Sequence, residues 1–357
     1  MGGSRKNSKR KSFKNIITIR REKMRLKTTL IIITVIIFTL FLAGCASGGN
    51  KSESSETTIP ETTAADITTP DSEETPETTT ETTTTSNPEI IFSSSDNSTS
   101  IIYICNPDGS NLTKFIDDGI NTSPSWNKGH SKIVLNSIDP QSGVGGLYIY
   151  DIENKEKTLL FKGLSPMAPS FSPDGNTVIF MDFPEEGTEN LEIYTIDLNG
   201  SNLTRLTDNP ARDYFPKYSP DGKTIIFSSE RDGNLQLYAM DSIGQNVKRI
   251  MDNKFTDNIG SFSPDGLNII FNSDRGGSSD IYSISSDGSG EAKNLTNNNA
   301  GNYDACYSPD GSMIVYRSNK GLTDDMSYDI FVMSADGSNQ VNITQILKDT
   351  NEFNPSW

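Results

Sequence analysis

One histidine, three cysteines and two tryptophans in 357 residues leave little from which to build most enzyme sites. The lone imidazole, His130, excludes centres that need two or more, such as zincin or three-histidine zinc sites. Three cysteines, Cys45, Cys105 and Cys306, are too few for a disulfide scaffold. Positive charge is also short: 31 Lys and Arg stand against 47 Asp and Glu, for a net charge of −16. A nucleic-acid binder neutralises phosphates with a basic face, so that class is excluded. Hydrophobic residues make up only 33% of the chain, and one long uncharged run, Thr28 to Gly44, stands out among them.

What is present divides the chain into three parts. Residues 1–27 carry eleven Lys or Arg and one acid, Glu22, a local charge of +10. A basic head followed by a short apolar run reads as an export signal, with the basic residues held on the cytoplasmic side. The run ends Leu42-Ala43-Gly44-Cys45, which resembles the lipobox of bacterial lipoproteins. That resemblance implies acylation of the Cys45 thiol and cleavage just before it; an uncleaved signal anchor is the alternative. Either way the remainder is expected outside the cytoplasm, anchored at a membrane. Met24 opens a conventional signal, so residues 1–23 are expected to be an extension upstream of the true start.

Residues 46–88 hold fourteen threonines, nine acids, one lysine and no aromatic residue. Such a stretch cannot bury enough apolar surface to offset its ordering entropy. We expect 45–88 to be a lipidated cysteine and a Thr/Glu/Pro tether, spanning about 36 Å as a coil and up to about 130 Å extended.

Self-similarity dominates residues 89–357. Ser-Pro-Asp-Gly recurs at Ser172–Gly175, Ser219–Gly222, Ser263–Gly266 and Ser308–Gly311, each after an aromatic and before an apolar strand. Trp126-Asn127-Lys128-Gly129 is a degenerate copy upstream. From Trp126 the aromatics fall at Phe171, Tyr218, Phe262, Tyr307 and Trp357, and a period near 45 residues points to a solenoid or a propeller. A second strand, a polar loop, a third strand with a tyrosine-like residue, an Asp-Gly turn and a short Leu-Thr strand complete each unit. Four short antiparallel strands per unit make a propeller blade. The segment begins in the phase of a second strand, at Ile90-Ile91-Phe92. It ends in the phase of a first strand, at Asn354-Pro355-Ser356-Trp357. The expected fold is therefore all-β, a six-bladed propeller whose C-terminal strand completes the first blade.

These repeats resemble the TolB-like propellers built from WD40-like PD40 repeats; the best copy runs from Tyr214 through Ser219-Pro220-Asp221-Gly222 to Asp241. The resemblance covers 89–357 and implies a cell-envelope binding module. With 46–88 read as a tether, the separate N-terminal α/β domain of TolB proper is not expected in this chain.

Candidate chemistry is thin. Asp174, Asp221, Asp265 and Asp310 are read as turn-formers, His130 as an exposed turn residue, and Cys105 and Cys306 as buried free thiols, with a disulfide between the last and first blades as the alternative. No Gly-x-Ser-x-Gly occurs. Recognition is expected where the repeats differ, in the loops and blade-to-blade connections opposite the Ser-Pro-Asp-Gly face. There, four and five residues before each blade aromatic, stand Asp213, Tyr214, Asp257, Tyr303, Glu352 and Phe353. They are expected to form an aromatic and acidic rim around the channel mouth. Alternatively, the acids cap loop amides and the aromatics pack between blades. The rim would suit an envelope protein or peptide partner, and its acids could hold Ca²⁺. No other cofactor is expected, and the chain is expected to act as a monomer. The competing expectation is an extracytoplasmic enzyme acting on glycans or peptides through these carboxylates.

Overall fold

A computed structural model describes residues 89–96, 99–322, 327–347 and 350–357. The expected signal, the Cys45 anchor and the tether lie outside these residues. Among the described residues every regular element is a β-strand, 24 in all, and no helix is long and apolar enough to cross a membrane.

The strands form six antiparallel groups of four. Four are separate sheets; the first two join into one eight-stranded sheet through a single parallel bridge between Ser100 and Ile120. In the first group the C-terminal strand Asn351–Ser356 pairs with Ile90–Ser95, in the register Ile91 to Ser356 and Ser94 to Glu352. The expected closure of the first blade by the end of the chain is thus what the structure shows. The innermost strands are Asn351–Ser356, Ile120–Trp126, Met167–Phe171, Asp213–Tyr218, Asp257–Phe262 and Asn302–Tyr307, and each touches the next around the ring.

The second strand of every blade reads as an unbroken apolar triplet because neighbouring blades cover both of its faces. Ile90-Ile91-Phe92, Ile133-Val134-Leu135, Val178-Ile179-Phe180, Ile225-Ile226-Phe227, Ile269-Ile270-Phe271 and Ile314-Val315-Tyr316 are all fully buried. Their side chains form one apolar cluster per blade interface, six in all, including one between the sixth and first blades around Trp357. Each such side chain contributes roughly 1.5–3 kcal/mol by leaving water. In five blades the third residue of the triplet stacks on the aromatic opposite it in the third strand, from Phe92 on Tyr103 to Tyr316 on Phe331, at 5.7–6.1 Å.

Ser-Pro-Asp-Gly closes the first hairpin the same way each time. In the third blade, Ser172 Oγ donates to Asp174 at 2.6 Å and accepts from the Thr177 amide at 3.0 Å, while Gly175 takes φ +73°. The Ser219, Ser263 and Ser308 copies repeat these bonds, which confirms the aspartates as turn-formers. The hydroxyl bond also holds each of these carboxyls below its usual pKa.

The fourth strand differs from expectation. In the third, fifth and sixth blades it is only two residues long and stops before the Leu-Thr or Ile-Thr pair. There the threonine hydroxyl replaces a ladder carbonyl: Thr207, Thr296 and Thr344 accept from the amides of Ile193, Ile281 and Ile330 at 2.8–3.1 Å.

Candidate channel-mouth site

The two faces of the ring are distinct. Both tight turns lie on one face: Asp221 and Asp265 share a groove of 710 Å³ with Asp241 and Asp287, between the fourth and fifth blades. A smaller groove of 340 Å³ repeats the arrangement between the fifth and sixth. On the opposite face the variable loops meet the blade connections. Arg212 bonds the Glu189 carbonyl and carboxylate, and Asn234 the Lys254 carbonyl.

On that second face the expected rim residues are not at the surface. Asp213, Asp257 and Glu352 are 0% exposed, and Tyr214, Tyr303 and Phe353 are 2–8% exposed. The reason is a bulge that sequence reasoning missed. In every innermost strand the residue three before the blade aromatic is left-handed: Ser123, Ala168, Phe215, Ile259, Asp304 and Asn354, with φ of 49–56°. None is glycine, and a side chain rarely adopts this conformation without being forced to. The strand pairing slips at this point in all six blades. The slip leaves Asp213, Tyr214, Asp257, Tyr303, Glu352 and Phe353 buried in the blades, while residues one before the aromatic meet across the ring, as Lys217 and Ser261 do at Cys306. The recurrence of a small residue one before the aromatic in five of the six blades was the available signal: Ser125, Ser170, Ser261, Cys306 and Ser356, with Lys217 as the exception.

The mouth is lined unevenly. Asp304, Asn354 and Ser123 run in adjacent blades: Asp304 accepts from the Asn354 amide at 3.3 Å, and the Ser123 hydroxyl donates to Asn354 at 3.2 Å. Ala168, Phe215 and Ile259 hold the same strand position in the next three blades; all three are partly exposed, and Ala168 and Phe215 also pack on the Met181, Leu191 and Tyr214 cluster.

Beneath it, buried acids tie the first strand of a blade to its second. Arg231 donates to both oxygens of Asp213 at 3.0 Å and lies over the rings of Phe227 and Tyr238 at 5.2 and 4.7 Å. Arg275 repeats this with Asp257 at 2.8 Å, over Phe271 and Tyr282. In the sixth blade Arg317 pairs with Asp304 at 2.8 Å, between Tyr303 and Tyr328. Glu352 breaks the pattern. Ser94 Oγ donates to its Oε1 at 2.9 Å, and among the described residues no Lys or Arg pairs with the carboxylate. Burial, with the neighbouring Asp329 carboxylate, raises its pKa to about 8. Hydrogen bonds from Thr350 and Ser94 oppose that shift, and the bond to Asp329 favours the protonated form. Among the described residues no group of three or more His, Cys, Asp or Glu is placed to hold a metal ion.

The remaining residues singled out in the sequence resolve simply. His130 is half-buried rather than exposed, stacked on Trp126 at 4.8 Å, and burial lowers its pKa. Cys105 and Cys306 are both free thiols; Cys105 is buried, whereas Cys306 keeps some exposure on the channel.

A closed ring of four-stranded blades carrying Ser-Pro-Asp-Gly hairpins agrees with the family comparison. The sequence model of PD40, the TolB beta propeller domain, matches residues 138–259 and 234–357. The chain belongs to this family. The TolB of Acinetobacter baumannii superposes with a TM-score of 0.63 at 26% identity, covering 75% of this chain and 66% of that one. A putative TolB from Agrobacterium tumefaciens superposes with a TM-score of 0.58 at 23% identity, covering 71% of this chain and 88% of that one. An uncharacterized protein of Agrobacterium fabrum is 28% identical over 140 residues, 38% of this chain. The chain spans about half the length of that curated relative, 47%. An oligogalacturonate lyase in complex with manganese shares the fold alone, with a TM-score of 0.51 at 14% identity.

Proposed function

We propose that this TolB-family propeller is a membrane-anchored, extracytoplasmic lipoprotein that binds a protein or peptide at the cell envelope through the face carrying its variable loops and channel mouth. The observation that supports this reading most is the mouth itself. The six-bladed ring sets the partly exposed Ala168, Phe215 and Ile259 beside the partly exposed Asn354 and Ser123, with Asp304 tied to Arg317 beneath them. Apolar anchors beside polar neighbours on a fixed scaffold are what a protein interface requires. The enzyme reading needs accessible carboxylates, and Asp213, Asp257 and Glu352 are instead buried and engaged within the blades.

A photo-crosslinking residue at position 215, with one at the exposed Leu203 on the opposite face as control, tests the proposal in intact cells. Discrete adducts are expected from position 215 and none from 203. Equal adduct patterns at both positions, or none at either, would overturn it.

A further inference from the structure

The channel wall below the mouth is uniform except at one blade. One residue before each blade aromatic, five blades carry a small hydroxyl or thiol, and the fourth carries Lys217. Lys217 is half-buried on the innermost strand Asp213–Tyr218. Among the described residues its ammonium has no hydrogen bond or ion pair. It interacts electrostatically with Cys306 and Asp304, which belong to the sixth blade, two blades further round the ring. A lysine that senses a non-adjacent blade reaches into the channel rather than lying along its own sheet.

Its surroundings leave the positive charge open to a ligand. Asp304 is the one carboxylate that interacts with it, and that group is already bound by Arg317 at 2.8 Å and by the Asn354 amide. Hydroxyls stand at the same level: Ser170 is 6% exposed and its Oγ has no partner, and Ser261 bonds the Cys306 thiol. Burial lowers the Lys217 pKa, while Cys306 and Asp304 oppose that shift.

From this arrangement we propose that the central channel holds a carboxylate, bound by the Lys217 ammonium and by hydroxyls of the ring that includes Ser170. One ammonium neutralises one charge, so a monoanion fits where a doubly charged phosphate would leave charge uncompensated beside Asp304. Two carboxylate oxygens let the ammonium take one and the hydroxyls the other. The site is separate from the partner-binding reading of the mouth and stands if that reading fails.

Cys306 is a reporter built into the same wall. In the full chain carrying Cys45→Ser, the other thiol, Cys105, is 2% exposed and stays silent, whereas Cys306 is partly exposed; burial raises the pKa of both thiols, and Lys217 opposes the rise at Cys306. Cys306 is then labelled with two methanethiosulfonates of similar size, one ending in a sulfonate and one in a trimethylammonium. The sulfonate reagent is expected to react roughly tenfold faster, as one nearby positive charge in a partly desolvated channel dictates. Acetate should slow it in a saturable way. Lys217→Met should abolish both the preference and the protection, and Lys217→Arg should keep them. A short peptide with a free C-terminus, compared with its amide, separates the two sources of a carboxylate. Protection by the free peptide at lower concentration than acetate indicates a chain end; protection by acetate alone indicates a small acid. Equal labelling rates in the parent chain, or acetate protection that survives Lys217→Met, would overturn the proposal.

Discussion

Glu352→Gln isolates what a buried carboxyl without a cation does to stability. Glu352 closes the first blade, on the strand that pairs with Ile90–Ser95, and is 0% exposed. Its ordinary pKa of 4.5 is raised in the fold to about 8, first by burial and then by Asp329. The folded state therefore holds this proton more tightly than the unfolded chain. The stabilisation is fully present below about pH 4.5 and is lost as the pH climbs toward 8. At 1.36 kcal/mol per pKa unit the whole window is worth on the order of 4–5 kcal/mol. Glutamine keeps the shape and an N–H that donates to Asp329 but does not titrate. Urea denaturation of both proteins, followed by tryptophan fluorescence from pH 5 to 8, gives the difference directly; His130 and other groups cancel in it. The parent should lose stability relative to the variant by about 1 kcal/mol per pH unit, and the variant should be the more stable at pH 8. Parallel pH profiles would refute the proton shared between Glu352 and Asp329.

Asp213→Ala leaves Arg231, only 17% exposed, without its carboxylate, and should cost about 2–4 kcal/mol by denaturation, with Asp213→Ala/Arg231→Met recovering part of the loss. Trp357→Ala empties the interface between the sixth and first blades and removes the Nε1–H bond to the Cys306 carbonyl at 3.2 Å; a loss of about 3–5 kcal/mol in the same assay is expected. Cys45→Ala should abolish fatty-acid labelling of the chain, and persistent labelling would refute the lipobox reading.

The fold was legible because the repeat states it many times over. An aromatic, Ser-Pro-Asp-Gly and an apolar triplet recur at a steady period, and the phase offset between Ile90 and Trp357 announces the closure. The site was less so. Asp213 and Tyr214 were expected at a surface because they were read as part of the blade-to-blade connections, which six-fold geometry places around the channel mouth. A left-handed residue that is not glycine leaves no mark in residue type, since Ser, Ala, Phe, Ile, Asp and Asn all occupy that position. The ion pairs were legible in principle. Ser229-Glu230-Arg231 and Ser273-Asp274-Arg275 place an arginine two residues after the serine that faces each buried aspartate. In the first blade Ser94 faces Glu352, and Asp96 stands where the arginine would be. Lys217 was visible as a break in a column of small residues, but the column has meaning only once those residues are known to share an axis.

Closure by the last strand also sets a timetable. While the chain is being made, the strand Ile90–Ser95 has one antiparallel neighbour and one bare edge until Asn351–Ser356 has been synthesised. Five blades can assemble from local hairpins; the first must wait for a partner five blades further along the chain. Bare strand edges recruit other chains, and distant contacts form slowly. The interval before Trp357 arrives is when this protein is most exposed to aggregation and proteolysis, and a quality-control factor would find its target there, at a blade three strands wide.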